Sequence, residues 1–230
     1  SHPELSFHEV ETSAFVSERL KELGIKHERN IGGYGVVGII EGRNPQSKTR
    51  ALRADMDALP ITEANDVSYK SQNAGVMHAC GHDVHTTVLL GAARILKDLR
   101  ADWEGTIKLL FQPGEERNPG GASYMIKDGV LENPRPDGIV ALHVHPGLDV
   151  GKLSFRKGRV MASADEIYIT IKAKGGHAAA PDRRRAAARV HRLAAPPRGP
   201  PGRTARFAAS RVGRCGPSHA RASIPALRTG

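Results

Sequence analysis

Residues 78–85 read His-Ala-Cys-Gly-His-Asp-Val-His and lead into an apolar pattern with helical spacing. This stretch places one thiol, three imidazoles and one carboxylate within eight positions. Thiolate, imidazole and carboxylate are the ligand types that zinc and similar divalent ions bind best. Cys80 is the only cysteine before residue 215, so a disulfide within this region is not available to explain it. We therefore interpret the stretch as part of a metal site, with Cys80 and His82 as candidate ligands on one short loop.

The remaining histidines of this stretch have other roles open to them. The alternative to a metal site, a buried structural cysteine beside surface histidines, does not explain the density of metal-binding side chains. His78 and His85 are candidates for hydrogen-bond partners that fix the tautomer of a ligand. For His85, simple packing of the following helix is an equally open alternative.

Two later segments supply further candidate ligands. Residues 111–116 read Phe-Gln-Pro-Gly-Glu-Glu after the apolar run 106–111, and residues 141–146 read Ala-Leu-His-Val-His-Pro after the run 138–140. Each run is predicted to be a buried strand that ends in a loop. Because open α/β sheets bind ligands outside the carboxyl ends of their strands, we expect these loops and the 78–85 stretch to meet at one edge.

The two residues of each pair in these loops are expected to have different roles. Neighbouring side chains in extended backbone point to opposite sides, so one of Glu115 and Glu116 is expected to bind metal and the other to take a proton from water. The alternative is a solvated acidic loop. His143 and His145 share a strand face by their spacing, and we expect one ligand and one spectator. His177 follows a predicted strand and lies among small residues, which favours hydrogen bonding to a developing oxyanion or a structural role in a loop.

Periodicity predicts an α/β fold, a mostly parallel sheet flanked by helices. Helices are predicted over 9–23, 84–99 and 122–127. Strands are predicted over 25–28, 36–41, 51–55, 106–111 and 138–144, and then over 153–156 and 167–174. The last of these alternates polar and apolar residues, which is typical of an antiparallel strand with one wet face. A domain boundary is therefore expected near 158–164.

The charge of the chain is concentrated in its tail. The net charge is +10, but residues 1–182 hold 22 basic and 24 acidic residues, whereas residues 183–230 hold 12 arginines and no acid. The tail is rich in Arg, Ala, Pro and Gly, which favours a frameshifted or misassigned end, a disordered segment, or a basic arm for anionic partners. Nucleic acid is not an expected partner, since the basic charge is confined to the tail. A membrane is not expected either, since no apolar run approaches about 18 residues. The single cysteine before the tail favours a cytoplasmic setting.

Six segments occur in an order that resembles a known family: 2–7 (HPELSF), 52–60 (LRADMDALP), 77–83 (MHACGHD), 111–116 (FQPGEE), 142–144 (LHV) and 175–179 (GGHAA). Together they resemble the amidohydrolase branch of the dinuclear metallopeptidases, which includes hippurate hydrolase, N-acyl-amino-acid amidohydrolases and indole-acetyl-amino-acid hydrolases. The resemblance covers roughly residues 1–181.

The resemblance implies a reaction and a set of residues. The metal ligands would be Cys80, His82, Glu116 and His143, binding two divalent ions (zinc, manganese, cobalt or nickel). Glu115 would be the general base and His177 would polarise the scissile carbonyl. The implied reaction is hydrolysis of hippurate-like N-acyl amino acids by metal-activated water, in a homodimer.

Differences between this sequence and the family determine the domain organisation that we expect. The family is nearly twice as long and supplies a further metal-binding histidine, and Asp182 stands where the family usually has His. We therefore expect residues 1–161 to be the N-terminal part of a catalytic metal-binding domain. Residues 162–182 would begin a smaller α+β lid or dimerisation domain, and residues 183–230 would form a disordered or out-of-frame tail. The chain is then expected to be impaired, or to be a catalytically inactive metal-binding fragment.

Overall fold

The computed structural model describes residues 1–158, and within this range the chain forms three helices and five strands. The predicted elements before residue 142 are confirmed, with ends that shift by a few residues. In chain order they are α1 (Val10–Glu22), β1 (Lys26–Ile31), β2 (Gly35–Glu41), β3 (Thr49–Asp55), α2 (His82–Asp98), β4 (Thr106–Gln112), α3 (Gly121–Lys127) and β5 (Gly138–Ala141).

The five strands form one mixed sheet in the order β1-β2-β4-β3-β5. Strand β3 pairs in parallel with both β4 and β5, whereas β2 pairs antiparallel with β1 and β4. The predicted α/β class, with helices flanking the sheet, is thus confirmed. Because β4, β3 and β5 run in the same direction, their carboxyl ends lie along one edge, and the loops that follow them meet there.

Helices cover both faces of the sheet. On one face, Leu109 and Phe111 of β4 join a buried cluster with Leu20 of α1 and Leu89 of α2. On the other face, Leu110 packs with Met125 of α3. Strand β4 is therefore buried on both sides, which explains why Leu109, Leu110 and Phe111 are consecutive apolar residues that do not alternate with polar ones.

Two strand predictions after residue 141 need correction. Strand β5 ends at Ala141 instead of residue 144, because the backbone beyond it bonds to side chains: the Val144 N–H donates to His85 Nε2, and the Val144 carbonyl accepts from His143 Nδ1. The segment 153–156 is not a strand, since no other part of residues 1–158 forms a ladder with it. The strand predicted over 167–174 lies outside the described residues.

The longest helix within residues 1–158 is α2, with 17 residues. No helix in this range combines the length and the apolar character needed to cross a membrane.

Candidate metal centre

The predicted ligands of the described region come together at the carboxyl edge of the sheet. Cys80 and His82 lie where α2 begins, Glu115 and Glu116 follow β4, and His143 follows β5. Their side chains form two groups that share His82: Cys80 with His82 and His143, and His82 with Glu115 and Glu116. Within each group the ligand atoms lie within 4.8 Å of one another. The expectation that three separate loops converge on one edge is confirmed.

The His82 imidazole is oriented for metal binding. Its Nδ1 lies 2.8 Å from the Asp57 carbonyl oxygen, which can only accept, so Nδ1 carries the proton. Its Nε2 is buried and has no hydrogen-bond partner within residues 1–158. Three carboxylate oxygens face this nitrogen beyond hydrogen-bond distance, from Asp55 at 3.6 Å, Glu116 at 3.7 Å and Glu115 at 3.9 Å. Metal-binding histidines usually donate their second ring N–H in this way.

His143 repeats this arrangement on the other side of the site. Its Nδ1 donates to the Val144 carbonyl oxygen at 2.7 Å, and its Nε2 lies 3.5 Å from Cys80 Sγ. The Nε2 atoms of His82 and His143 are thus both directed toward the cluster, while both Nδ1 atoms are held by backbone carbonyls.

His85 has both of its ring nitrogens bonded to protein atoms. Its Nδ1 donates to Asp55 Oδ1 at 2.6 Å, and its Nε2 accepts the Val144 N–H at 2.9 Å. Of the two alternatives for His85, the structure supports the hydrogen-bonding role: it orients Asp55 toward His82 and ties the His143 segment to α2.

Neither His78 nor His145 belongs to the groups of converging ligands within the described residues. The Nδ1 of His78 is buried without a hydrogen-bond partner, so the structure assigns it no role in orienting a ligand. His145 is exposed, and its Nδ1 accepts the Gly147 N–H at 3.2 Å. The side chain of His145 therefore belongs to its own turn and is outside the groups of converging ligands.

Asp57 is a site residue that the sequence reasoning missed. Its Oδ2 accepts the Ser6 hydroxyl at 2.6 Å and the Glu116 N–H at 2.9 Å, and its Oδ1 lies 3.3 Å from His82 Nδ1. Burial raises the pKa of Asp57, but the hydrogen bonds from His82, Ser6 and the Glu116 backbone outweigh it and lower the pKa to about 2. The available signal was the Asp-x-Asp spacing directly after β3, at the same edge as the other candidates.

The half-buried Arg53 forms an ion pair with the buried Asp55, whose carboxylate lies near His82. Arg53 Nη1 donates to Asp55 Oδ2 at 2.7 Å, and Arg53 Nε donates to Gln112 Oε1 at 2.9 Å. Burial raises the pKa of Asp55, but the His85 hydrogen bond and the Arg53 charge outweigh it, so the pKa lies below its ordinary value. Asp55 is therefore an ionised carboxylate facing the His82 Nε2.

The negative charge of these carboxylates contributes to the pKa shifts of the other groups of the site. Burial, followed by the hydrogen bond and charge of Glu116, raises the pKa of the Cys80 thiol to about 12. Burial and the charge of Glu116 also raise the pKa of Glu115. Burial lowers the pKa of His82, but the hydrogen bond to Asp57 and the surrounding carboxylates outweigh it and raise that pKa. Such a potential favours cations, and a bound divalent ion is what would convert the Cys80 thiol to thiolate.

Gly81 makes the close approach of these loops feasible. It precedes α2 in the left-handed region, with φ of 85°. A Cβ at this position would overlap the Val144 side chain. Glycine thus lets the Cys80 loop and the His143 segment pack against each other.

The donor set fits a divalent cation. His82 Nε2 and Glu116 Oε1 are both buried without a hydrogen-bond partner among the described residues, and they lie 3.7 Å apart. Bonds of about 2.0–2.2 Å from zinc to nitrogen and oxygen can bridge this separation. The fit rests on sulfur, nitrogen and carboxylate donors together, which is the chemistry that zinc and its neighbours prefer. His177, the remaining predicted site residue, lies outside the described residues.

Comparison with known proteins agrees with this geometry. The family described as Peptidase family M20/M25/M40 matches residues 51–223. Thermostable carboxypeptidase 2 of Saccharolobus solfataricus is 46% identical over 182 residues, which cover 78% of this chain and 46% of that protein. The N-acyl-L-amino acid amidohydrolase of Geobacillus stearothermophilus is 44% identical over 181 residues, which cover 79% and 48%.

A solved structure, the Bacillus subtilis YXEP protein, described as a dinuclear metal binding peptidase from the M20 family, superposes with a TM-score of 0.68. It is 40% identical, and the match covers 75% of this chain and 47% of that one. The chain therefore belongs to peptidase family M20/M25/M40. It spans about half the length of the relatives it matches.

Proposed function

We propose that this chain carries the metal-binding half of a hydrolase that cleaves the amide bond of N-acyl amino acids, including hippurate-like substrates. The observation that carries the proposal is the buried Nε2 of His82, which has no hydrogen-bond partner among the described residues and faces the carboxylates of Glu115 and Glu116 in the loop after β4. Family membership supports the class of reaction, and the Geobacillus stearothermophilus relative is named for N-acyl-L-amino acids.

The proposed ligands are Cys80, His82, Glu116 and His143, which would hold two divalent ions such as zinc, manganese, cobalt or nickel. The description of the Bacillus subtilis structure as dinuclear supports the number of ions. Such ions supply Lewis acidity, which lowers the pKa of water and polarises a carbonyl group.

Burial supports different roles for the two glutamates. The Glu116 side chain is 20% exposed and has a buried oxygen without a partner, as expected of a ligand. The Glu115 side chain is 41% exposed and is therefore accessible to substrate. Glu115 is proposed to take a proton from the attacking water and to deliver it to the departing amine. Burial and the charge of Glu116 raise its pKa, which brings it closer to the pH at which a general base is most effective.

Three further parts of the proposal come from the resemblance or from composition. His177 would polarise the scissile carbonyl, residues 162–182 would begin a lid or dimerisation domain, and the intact protein would be a homodimer. Use of Cys80 as a metal ligand, with no second cysteine before residue 215, supports a cytoplasmic setting.

The test uses the purified 230-residue chain, stripped of metal and titrated with cobalt(II) and then zinc or manganese. Cobalt binding is followed by the thiolate-to-cobalt charge-transfer band, and hydrolysis of hippurate is followed by release of glycine. We expect Cys80→Ser to abolish the band. Glu115→Gln is expected to keep cobalt binding but to reduce turnover by about 10²–10⁴-fold. Glu18→Gln, an exposed change on α1, is the matched control and leaves both unchanged.

Failure of the wild-type chain to bind cobalt would refute the proposed site. Cobalt binding without turnover would instead favour the second candidate, a catalytically inactive metal-binding fragment. That candidate is motivated by the share of its relatives' length that the chain spans.

A further inference from the structure

The segment 4–9, which overlaps the HPELSF stretch at residues 2–7, contacts the loop that carries Glu115 and Glu116. Within residues 1–158, none of its side chains belongs to the groups of converging ligands. We infer that Glu9 is a positioning residue which, together with Ser6, holds the loop 113–116 so that both glutamates face His82. This inference rests on the proposed function, because it concerns the same metal site.

The Glu9 side chain does not cap helix α1, although its place in the chain favours this role. It is the N-cap residue of α1, yet its side chain makes no capping hydrogen bond. Its Oε1 instead accepts the Gly114 N–H at 2.7 Å and the Phe7 N–H at 3.0 Å. A carboxylate at a helix N-terminus normally stabilises that helix, so the bond to Gly114 replaces a favourable local one.

Glu4 performs the capping that Glu9 does not. Its two carboxylate oxygens accept the backbone N–H groups of Glu11 at 3.1 Å and Thr12 at 2.7 Å, in the first turn of α1. The segment therefore contains two glutamates that each accept two backbone N–H groups. Only Glu9 is bonded to the loop of the metal centre.

The loop is held at three backbone positions. The Gly114 N–H donates to Glu9, the Gly114 carbonyl accepts the Gly121 N–H at 2.9 Å, and the Glu116 N–H donates to Asp57, which also accepts the Ser6 hydroxyl. These bonds leave the backbone on both sides of Glu115 with little freedom.

Packing adds to the hydrogen bonds. The Phe7 ring lies so close to Gly114 that a Cβ at Gly114 would overlap it. Phe7 itself has a φ of 64°, a left-handed conformation that is uncommon for an aromatic residue. The segment is thus shaped to fit the loop, which is consistent with a positioning role.

Burial of Glu9 is not explained by fold stability alone. Its side chain is fully buried, and its Oε2 has no hydrogen-bond partner in the part of the chain that the structure describes. Burial, the largest influence, raises the pKa of Glu9. A buried carboxyl group with an oxygen that makes no hydrogen bond carries a desolvation cost, which is consistent with a positioning role of Glu9 beside any stabilising one.

The experiment compares Glu9→Ala, Glu9→Gln and Glu4→Ala in the full 230-residue chain. Glu9→Gln retains an oxygen that accepts the Gly114 N–H. Glu4→Ala is the matched control, since it also removes two backbone hydrogen bonds from the same segment. Amide hydrogen exchange is measured without metal on peptides that cover 113–117 and 10–13, and cobalt(II) affinity is then measured by the thiolate charge-transfer band.

We expect Glu9→Ala to speed exchange over 113–117 by about tenfold, since it removes the acceptor of the Gly114 N–H. It should weaken cobalt binding by a similar factor, and Glu9→Gln should restore most of both. Glu4→Ala should speed exchange only over 10–13 and leave cobalt affinity unchanged.

Wild-type exchange over 113–117 in Glu9→Ala would overturn the inference, as would equal effects of Glu4→Ala and Glu9→Ala on that peptide. Faster exchange with unchanged cobalt affinity would also overturn it. If the wild-type chain binds no cobalt, the proposed function fails, and the exchange measurement still decides whether Glu9 holds the loop.

Discussion

Replacement of Asp57 by Asn is expected to weaken both the fold and the metal site. Asp57 Oδ2 accepts two hydrogen bonds, from Ser6 and from the Glu116 N–H, so the amide oxygen of an Asn must occupy that position. The amide nitrogen then faces His82 Nδ1, where Asp57 Oδ1 lies 3.3 Å away, and two donors oppose each other. The variant loses the ionised acceptor and gains an unfavourable contact.

The pKa of Asp57 sets the magnitude of the loss. It falls from an ordinary value of 3.8 to about 2 in the fold. A shift of this size corresponds to about 2 kcal/mol of folding free energy. Because the folded pKa is the lower one, this stability is fully present above the unfolded value and is lost as the pH falls toward 2.

Urea denaturation in EDTA at several pH values between 7 and 3 measures this contribution without metal. Asp57→Asn should lower the free energy of unfolding by about 2 kcal/mol at pH 7, and the difference from wild type should shrink below pH 4. Ser6→Ala, which removes one bond to Asp57, should cost about 1 kcal/mol at pH 7. A difference between wild type and Asp57→Asn that stays constant across this range would refute the reasoning.

Three other substitutions test separate features of the described region. Gly81→Ala should destabilise the fold by about 1–2 kcal/mol, because the backbone at this position is left-handed. It should also weaken cobalt binding, because the added Cβ displaces the Val144 side chain. Unchanged thermal stability would contradict this prediction. Lys108→Met should lower the free energy of unfolding in urea by about 2 kcal/mol, since the buried ammonium donates to the carbonyls of residues 130 and 132. His85→Ala should weaken cobalt binding by about 10–100-fold, as measured by titration, whereas an effect on stability alone would rule out a role in orienting the site.

Much of the fold follows from local pattern. The apolar run of β4 predicted a strand buried on both faces, and the helical spacing of apolar residues after residue 82 predicted α2. The two patterns differ because a strand covered on both faces needs consecutive apolar residues, whereas a helix buried along one stripe needs them every three or four positions. The end of β5 could not be predicted in this way. Residues 142–144 continue the apolar alternation, but their backbone bonds to His85 and His143 replace the ladder.

The candidate site could also be predicted only in part from the local sequence. Chemical type and the strand-end rule were sufficient to nominate Cys80, the pair Glu115 and Glu116, and the pair His143 and His145, because parallel strands deliver their following loops to one edge. The family resemblance then indicated Glu116 and His143 within these pairs. Residue spacing left open whether His85 forms hydrogen bonds or only packs, and whether His143 or His145 is the ligand, since all three are imidazoles near the same loops. Only their hydrogen-bond partners separate them: both nitrogens of His85 are engaged by protein atoms, and His143 directs its Nε2 toward Cys80.

The sequence by itself determined the element order, the α/β class, the donor types and the family resemblance, because these depend on residue identity and short-range spacing. Tertiary structure decided which donors converge and what supports them. Asp57 bonds to Ser6 across 51 residues and to Glu116 across 59, and Glu9 bonds to Gly114 across 105. No local pattern specifies such contacts, because they exist only after the sheet has brought distant segments to one edge.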